Sequence, residues 1–140
     1  MFEIRFNSGQ LSAELALGTI LVGSFKETFE APLHFWTRRD YESQWRRASE
    51  RLLNGAASSA FITGMNDPQH ANFIHWWPAY LVGAEVRFQH QLLMLPNLDF
   101  EFTVENHFEH VPPYRQENDE GDRLSQWVVP LISLSLPPLS

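Results

Sequence analysis

The stretch FIHWWPAYLVGAEVRFQHQLLML, from Phe73 to Leu95, determines the fold class of this chain. Two runs rich in aromatic and branched apolar residues flank Gly83-Ala84, and a glycine-first pair suits a two-residue type II′ turn. We therefore predict an antiparallel hairpin with strands Phe73–Val82 and Glu85–Leu95. Pro78 has no amide hydrogen to give to a neighbouring strand, which predicts an edge position or a bulge.

The register of this hairpin predicts which of its side chains are buried. One face, predicted to be the core face, carries Phe73, Trp77, Leu81, Val86, Phe88, Leu92 and Met94. Trp76 and Tyr80 lie on the opposite, mixed face beside Arg87, and we expect the long helix to pack over them. A second interpretation is that these three side chains stack on single-stranded bases, as in a nucleic-acid-binding module.

The residues on either side of the hairpin predict further strands, one long helix and one short helix. Residues 1–30 alternate apolar and polar side chains and predict two or three strands in a meander. A helix begins after Thr37, a plausible N-cap, and its core-facing stripe consists of Tyr41, Trp45, Ala48 and Leu52. The remaining predicted elements are a buried strand over 57–65, a short helix over 103–110, a polar loop over 114–122 and a last strand over 124–134. The fold class is α+β with antiparallel sheets, in one domain over residues 1–140.

Composition excludes several classes of protein. The chain has 140 residues and no cysteine, which excludes disulfide frameworks, thiolate metal sites and a catalytic cysteine. Its formal net charge of -7 opposes binding to nucleic acid and to anionic membranes. The first residues are unlike a signal peptide and the apolar runs are short, so we expect a cytoplasmic protein with no membrane partner.

The negative charge is concentrated in one segment, which we call the acidic segment, from Asp99 to Asp122. Its eight carboxylates against Arg115 alone give -7, the formal net charge of the whole chain. Such a segment attracts a basic partner and speeds the association, although a solubilising surface loop is an equal alternative. With Asp67 as an outlying member, the candidate binding residues are Asp67, Asp99, Glu101, Glu105, Glu109, Glu117, Asp119, Glu120 and Asp122.

Four histidines raise the question of metal binding or catalysis. His107 and His110 are spaced to share a helix face near carboxylates, which gives a weaker alternative, a metal-dependent enzyme. Surface histidines with no special role are the simpler interpretation. His75 and His90 are expected beside Trp77, as hydrogen-bonded core residues. No nucleophile elbow, phosphate loop or dinucleotide motif occurs, so we predict no enzyme activity, no metal and no cofactor.

Three blocks of sequence carry a resemblance to a known family. They are PLHFWTRRDYESQW (Pro32–Trp45), MNDPQHANFI (Met65–Ile74) and ENDEGDRLSQW (Glu117–Trp127). In order and spacing they resemble the immunity proteins (CdiI) of bacterial contact-dependent growth inhibition systems, in the group paired with ribosomal-RNA-cleaving CdiA toxins. The likeness covers about Ala31 to Leu134.

The resemblance implies a fold and a partner. The fold is a single α+β domain with two antiparallel sheets, similar to the Whirly fold of single-stranded-DNA-binding proteins but used to bind protein. The partner is the cognate CdiA C-terminal toxin nuclease, a basic protein whose active region the immunity protein covers in the cytosol. The acidic segment is then the expected toxin-binding region, on a chain that is a monomer before the complex forms.

Overall fold

The computed structural model describes residues 1–8 and 12–134. In chain order the strands and the helix are β1 (Phe2–Phe6), β2 (Leu15–Val22), β3 (Phe25–Pro32), α1 (Arg38–Leu53), β4 (Ser58–Gly64), β5 (Phe73–Val82), β6 (Glu85–Phe88), β7 (Gln91–Met94) and β8 (Trp127–Pro130). Short 3-10 turns cover Leu95–Asn97, His107–His110 and Leu131–Ser133. The α+β class with antiparallel sheets is therefore confirmed. The likeness to Whirly proteins stays a prediction.

The first sheet is the meander that the alternating residues predict. Its strands pair antiparallel in the order β1-β2-β3. A two-residue turn between Val22 and Phe25 joins β2 to β3, and Gly23 adopts a positive φ of 64° there. Glycine adopts a positive φ with little strain because it has no Cβ, so the tight turn forms at this position.

The second sheet has five strands and contains the predicted hairpin. Its order is β4-β5-β6-β8, and β7 pairs with β5 beyond the end of β6. Val82 pairs with Glu85, as the two-residue turn requires. Gly83 has a φ of 62° and Ala84 does not have a positive φ, the combination typical of a type II′ turn. The predicted turn and register are confirmed.

The edge position predicted from Pro78 is wrong, because Pro78 lies in a central strand. β5 pairs with β4 on one side and with β6 and β7 on the other. The Pro78 carbonyl accepts the Gln89 amide at 2.9 Å, so the side without an amide hydrogen faces the gap between β6 and β7. The missing donor therefore coincides with an interruption in the partner strand.

The long helix has the boundaries that its caps predict. The Thr37 side chain accepts the Asp40 amide, the Asp40 carboxylate accepts the Thr37 amide, and Gly55 ends the helix with a φ of 92°. The four residues of the predicted stripe are all fully buried: Tyr41, Trp45, Ala48 and Leu52. The short helix predicted over 103–110 is reduced to the four-residue 3-10 turn, and the last strand is shorter than predicted.

Helix α1 also closes the β4 edge of the second sheet. Gln44 Nε2 donates to the Ala60 carbonyl at 2.7 Å, and Gln44 Oε1 accepts the Ile62 amide at 2.9 Å. Trp45 Nε1 donates to the Ile62 carbonyl at 2.7 Å. These side chains replace a neighbouring strand along β4, so its backbone groups are buried with partners.

The two sheets pack face to face through aromatic rings. Phe2 of β1 lies 5.1 Å from Phe61 and 4.8 Å from Phe88, between ring centroids. We call the face of the five-stranded sheet that carries Phe61 and Phe88 the inner face, and the opposite face the outer face. Trp76 and Tyr80 are on the outer face and are buried.

The predicted core face of the hairpin is wrong at one end. Phe73, Leu92 and Met94 are 38%, 47% and 41% exposed. They belong to the inner face, but the three-stranded sheet does not extend over the end of the five-stranded sheet that holds β7. No helix among the described residues is long and apolar enough to cross a membrane.

Candidate functional site

The acidic segment runs over the outer face of the five-stranded sheet. The Tyr80 hydroxyl donates to the Pro112 carbonyl at 2.9 Å, and Arg87 donates to the Tyr114 hydroxyl at 2.9 Å. The rings of Tyr80 and Tyr114 lie 5.1 Å apart. The expectation that the long helix covers Trp76 and Tyr80 is therefore wrong, since α1 lies along β4 and part of the acidic segment covers Tyr80.

His107 anchors the first half of this segment inside the protein. Its side chain is fully buried, with Nδ1 2.6 Å from the Val104 carbonyl oxygen and Nε2 3.2 Å from Gln44 Nε2. Because the amide nitrogen of Gln44 is a donor, Nε2 acts as the acceptor and Nδ1 carries the hydrogen. The pKa of His107 is lowered to about 4, chiefly by burial; the hydrogen bond to the Val104 carbonyl opposes this shift, and the nearby guanidinium groups of Arg47 and Arg51 add to it. The ring is neutral at pH 7.

The arrangement of His107 does not suit a metal ligand. Both of its ring nitrogens have protein partners, and His110 is also buried, with Nε2 3.3 Å from the Glu101 carbonyl oxygen. The interpretation of the two residues as surface histidines is wrong. Within residues 1–8 and 12–134, no three histidine, aspartate or glutamate side chains are grouped closely enough to hold a metal ion.

The second half of the segment ends in a tight, exposed loop, which we call the acidic tip, residues 117–123. Asn118 Oδ1 accepts the amides of Glu120 and Asp122 at 2.9 and 3.0 Å, and the Asn118 amide donates to the Asp122 carbonyl at 2.9 Å. Gly121 has a φ of 86°, which a glycine tolerates. The loop holds its carboxylates outward in a fixed backbone conformation.

All eight carboxylates of the acidic segment are on exposed residues: Asp99, Glu101, Glu105, Glu109, Glu117, Asp119, Glu120 and Asp122. They do not form one cluster. Arg115 pairs with Asp119 at 2.8 Å, and Glu105 lines a cleft against α1 that also contains Arg47 and Arg51. Arg51 lies over the Phe108 ring at 4.4 Å. Part of the segment's charge thus faces arginines of this chain, including Asp119 within the acidic tip.

Asp67 belongs to a separate turn between β4 and β5. Its Oδ1 accepts the Gln69 amide at 3.0 Å, and its Oδ2 lies 3.8 Å from His70 Nε2. The residue is only half-buried, and its carboxylate stabilises the turn. Asp67 therefore has a structural role of its own, whatever partner it contacts.

The residues of the nucleic-acid alternative are not available as a stacking platform. Trp76 is fully buried and its indole donates to Gln91 Oε1 at 3.0 Å. Tyr80 is 3% exposed, and burial raises the pKa of its hydroxyl to about 12. Arg87 is held by Tyr114 and Glu85. Bases need an open aromatic face, which this surface does not offer.

A groove of about 380 Å³ between β3 and β5 was not predicted from the sequence. Its lining includes Glu27, Glu30, His75 and His90. The His90 ring stacks on Trp77 at 4.3 Å, as the hairpin register predicts, but His75 and His90 are both exposed residues rather than core residues. Partial burial of its ring still lowers the pKa of His90, and the carboxylate of Glu27 partly offsets that effect.

Comparison with known proteins identifies the family. The family model for the CdiI N-terminal domain matches residues 31–135, three quarters of the chain. The chain belongs to the CdiI family. A curated relative, the immunity protein CdiI of Enterobacter cloacae subsp. cloacae, is 26% identical over 137 residues, which cover 96% of this chain and 94% of the relative. The CdiI resemblance of the three sequence blocks is confirmed.

A solved structure has the same fold. A chain of the CdiA-CT/CdiI toxin and immunity complex from Enterobacter cloacae superimposes with a TM-score of 0.86 and 25% sequence identity. The match covers 95% of this chain and 92% of that chain. The prediction of a CdiI immunity protein is confirmed, and the alternative of a nucleic-acid-binding module has no support from these relatives.

Proposed function

We propose that this CdiI-family chain binds a cognate CdiA C-terminal toxin and neutralises it, with the acidic segment as the main contact. The observation that carries this proposal is the fold match along 95% of the chain to a toxin and immunity complex. At 25% identity the fold is retained while about three quarters of the aligned residues differ. Specificity for one toxin then resides in the exposed side chains, and the acidic segment is the most distinctive exposed feature.

Charge supports the choice of this segment. A nuclease holds phosphates with lysine and arginine, so an RNA-cleaving toxin is expected to be basic. Exposed carboxylates attract such a surface over several ångströms and form paired hydrogen bonds with arginine once in contact. A toxin covered in this way has no access to its RNA substrate. Inhibition is then both steric and electrostatic.

The proposed function also implies which chemical groups this chain does not need and where it acts. Neutralisation by binding is stoichiometric, so it requires no catalytic residue, metal or cofactor. The toxin acts on RNA in the cytoplasm, and the immunity protein must meet it there. We propose that residues 1–140 act as one immunity domain and that the free protein is a monomer.

The test is a binding and inhibition assay with the purified cognate toxin domain. We expect a one-to-one complex and loss of RNA cleavage when the two proteins are equimolar. A CdiA toxin domain from an unrelated system is the control and is expected to stay active. If the cognate toxin neither binds nor loses activity at equimolar immunity protein, the proposed function is wrong.

A further inference from the structure

An exposed apolar patch lies at the end of the five-stranded sheet that holds β7. It consists of Phe73, Leu92 and Met94, each more than a third exposed. Phe73 pairs with Met94 across the strands, and His75 pairs with Leu92, so these four side chains share one face. An apolar cluster of this kind on a folded protein commonly marks a binding surface.

The patch is open because the covering sheet stops short of it. Along the same face of β5, Trp77 is only 1% exposed, and the Phe25 ring of β3 lies 6.2 Å from it. Two residues earlier, His75 is already exposed. The inner face is therefore covered up to Trp77 and uncovered from His75 to Phe73.

Carboxylates border the patch on the side of β3. The His75 ring lies 6.2 Å from the His90 ring, and His90 Nδ1 lies 3.9 Å from Glu27 Oε2. Glu27 and Glu30 line the groove that His75 also lines. His75 and His90 thus lie between the apolar patch and the carboxylates of the groove.

The neighbouring edge, along β7, has no partner strand within residues 1–8 and 12–134. Among the described strands, β7 pairs with β5 alone. Its sequence, Gln91–Met94, contains no lysine or proline, the residues that usually protect an exposed edge from pairing with another chain. This contrasts with β4, whose outer edge is closed by α1.

We propose that this surface binds an extended, cationic segment of the toxin. An apolar side chain of that segment would contact Phe73, Leu92 and Met94, and a lysine or arginine would pair with Glu27 in the groove. The proposal rests on the proposed function, since it names a second contact with the same partner. A second copy of this chain is a poor occupant, because it brings the same carboxylates and the same formal net charge of -7 to the contact.

The test compares two variants with one matched control in toxin-binding kinetics. Leu92→Ser removes the centre of the patch, and we expect the toxin to dissociate at least about 10-fold faster, with little change in the association rate. Glu27→Gln is expected to weaken binding several-fold. Leu53→Ser, at a residue 42% exposed on α1, is the control and should leave both rates within about twofold of the parent.

Three results overturn the proposal, and they are distinguishable. If the parent chain binds the toxin and both variants bind equally well, the patch is not part of the contact and the proposed function stands. If the parent chain does not bind the toxin, the proposed function fails as well. If the parent chain forms a concentration-dependent dimer that Leu92→Ser abolishes, the occupant is a second copy. Thermal unfolding of each variant confirms that its fold is intact.

Discussion

At position 107 a histidine is kept neutral inside the protein by its surroundings. Burial, the Val104 carbonyl and the Gln44 amide nitrogen fix both its tautomer and its orientation. The sequence spacing of His107 and His110 showed only that the two are near each other. It contained no sign of Gln44, which lies 63 positions earlier, so burial was not predictable from this pattern.

We predict that His107 makes stability fall as the pH falls. Its pKa is about 4 in the folded state, against an ordinary histidine pKa of 6.5, so the unfolded chain takes up the proton first as the pH falls. The contribution of neutral His107 to the free energy of unfolding is complete above pH 6.5 and is lost as the pH falls towards 4. The expected loss is on the order of 2–3 kcal/mol.

The measurement is chemical denaturation between pH 7 and pH 4 for the parent chain and for His107→Asn. Asparagine retains an N–H donor for the Val104 carbonyl but does not titrate in this range. The variant starts less stable at pH 7, and its stability should depend less steeply on pH. Equal pH dependence in the two proteins would mean that His107 is not the group responsible.

At the level of elements, the helix and the hairpin were predictable and their docking was not. Thr37 and Asp40 define the start of α1 by local hydrogen bonds, and Gly83-Ala84 defines the hairpin register by turn geometry. Both signals act over a few residues. The closure of β4 by α1 depends instead on Gln44. This residue is buried, although glutamine usually lies at the protein surface.

We predict that Gln44→Met destabilises the protein by roughly 2–4 kcal/mol, because the Ile62 amide and the Ala60 carbonyl lose their partner while they stay buried. Methionine has nearly the same length, so the loss is one of hydrogen bonds rather than of volume. Ser43→Ala, at the exposed neighbouring position, is the control and should change stability by less than about 0.5 kcal/mol. Urea unfolding at pH 7 measures the stability of both variants. If Gln44→Met unfolds at the same urea concentration as Ser43→Ala, Gln44 does not stabilise the β4 edge.

At the scale of the whole molecule, charge could be assigned to a segment but not to a surface. Counting carboxylates located the acidic segment, and its residues are exposed. The count gave no indication that Glu105 lies beside Arg47 and Arg51 or that Arg115 pairs with Asp119. The apolar patch was predicted to be core, because the alternation of Phe73, Leu92 and Met94 does not reveal where the opposing sheet ends.

We predict that Glu120→Lys with Asp122→Lys slows association with the toxin by about 10-fold at low salt, since steering depends on the sign of the local charge. Glu3→Lys with Glu14→Lys changes the net charge equally at exposed positions outside the segment. Association of this control should slow much less. Stopped-flow rates at several salt concentrations measure both pairs, and equal slowing would show that only the total charge matters.

The hydrogen bonds of Asn118 have a consequence for how an encounter with a partner proceeds. They organise the acidic tip during folding, so the entropy of ordering this loop is lost before the toxin arrives rather than at the moment of contact. A loop preorganised in this way docks without rearranging. Under the proposed function, in which the acidic tip contacts the toxin, capture is then limited by diffusion and orientation, an advantage for a protein that must bind the toxin before it acts.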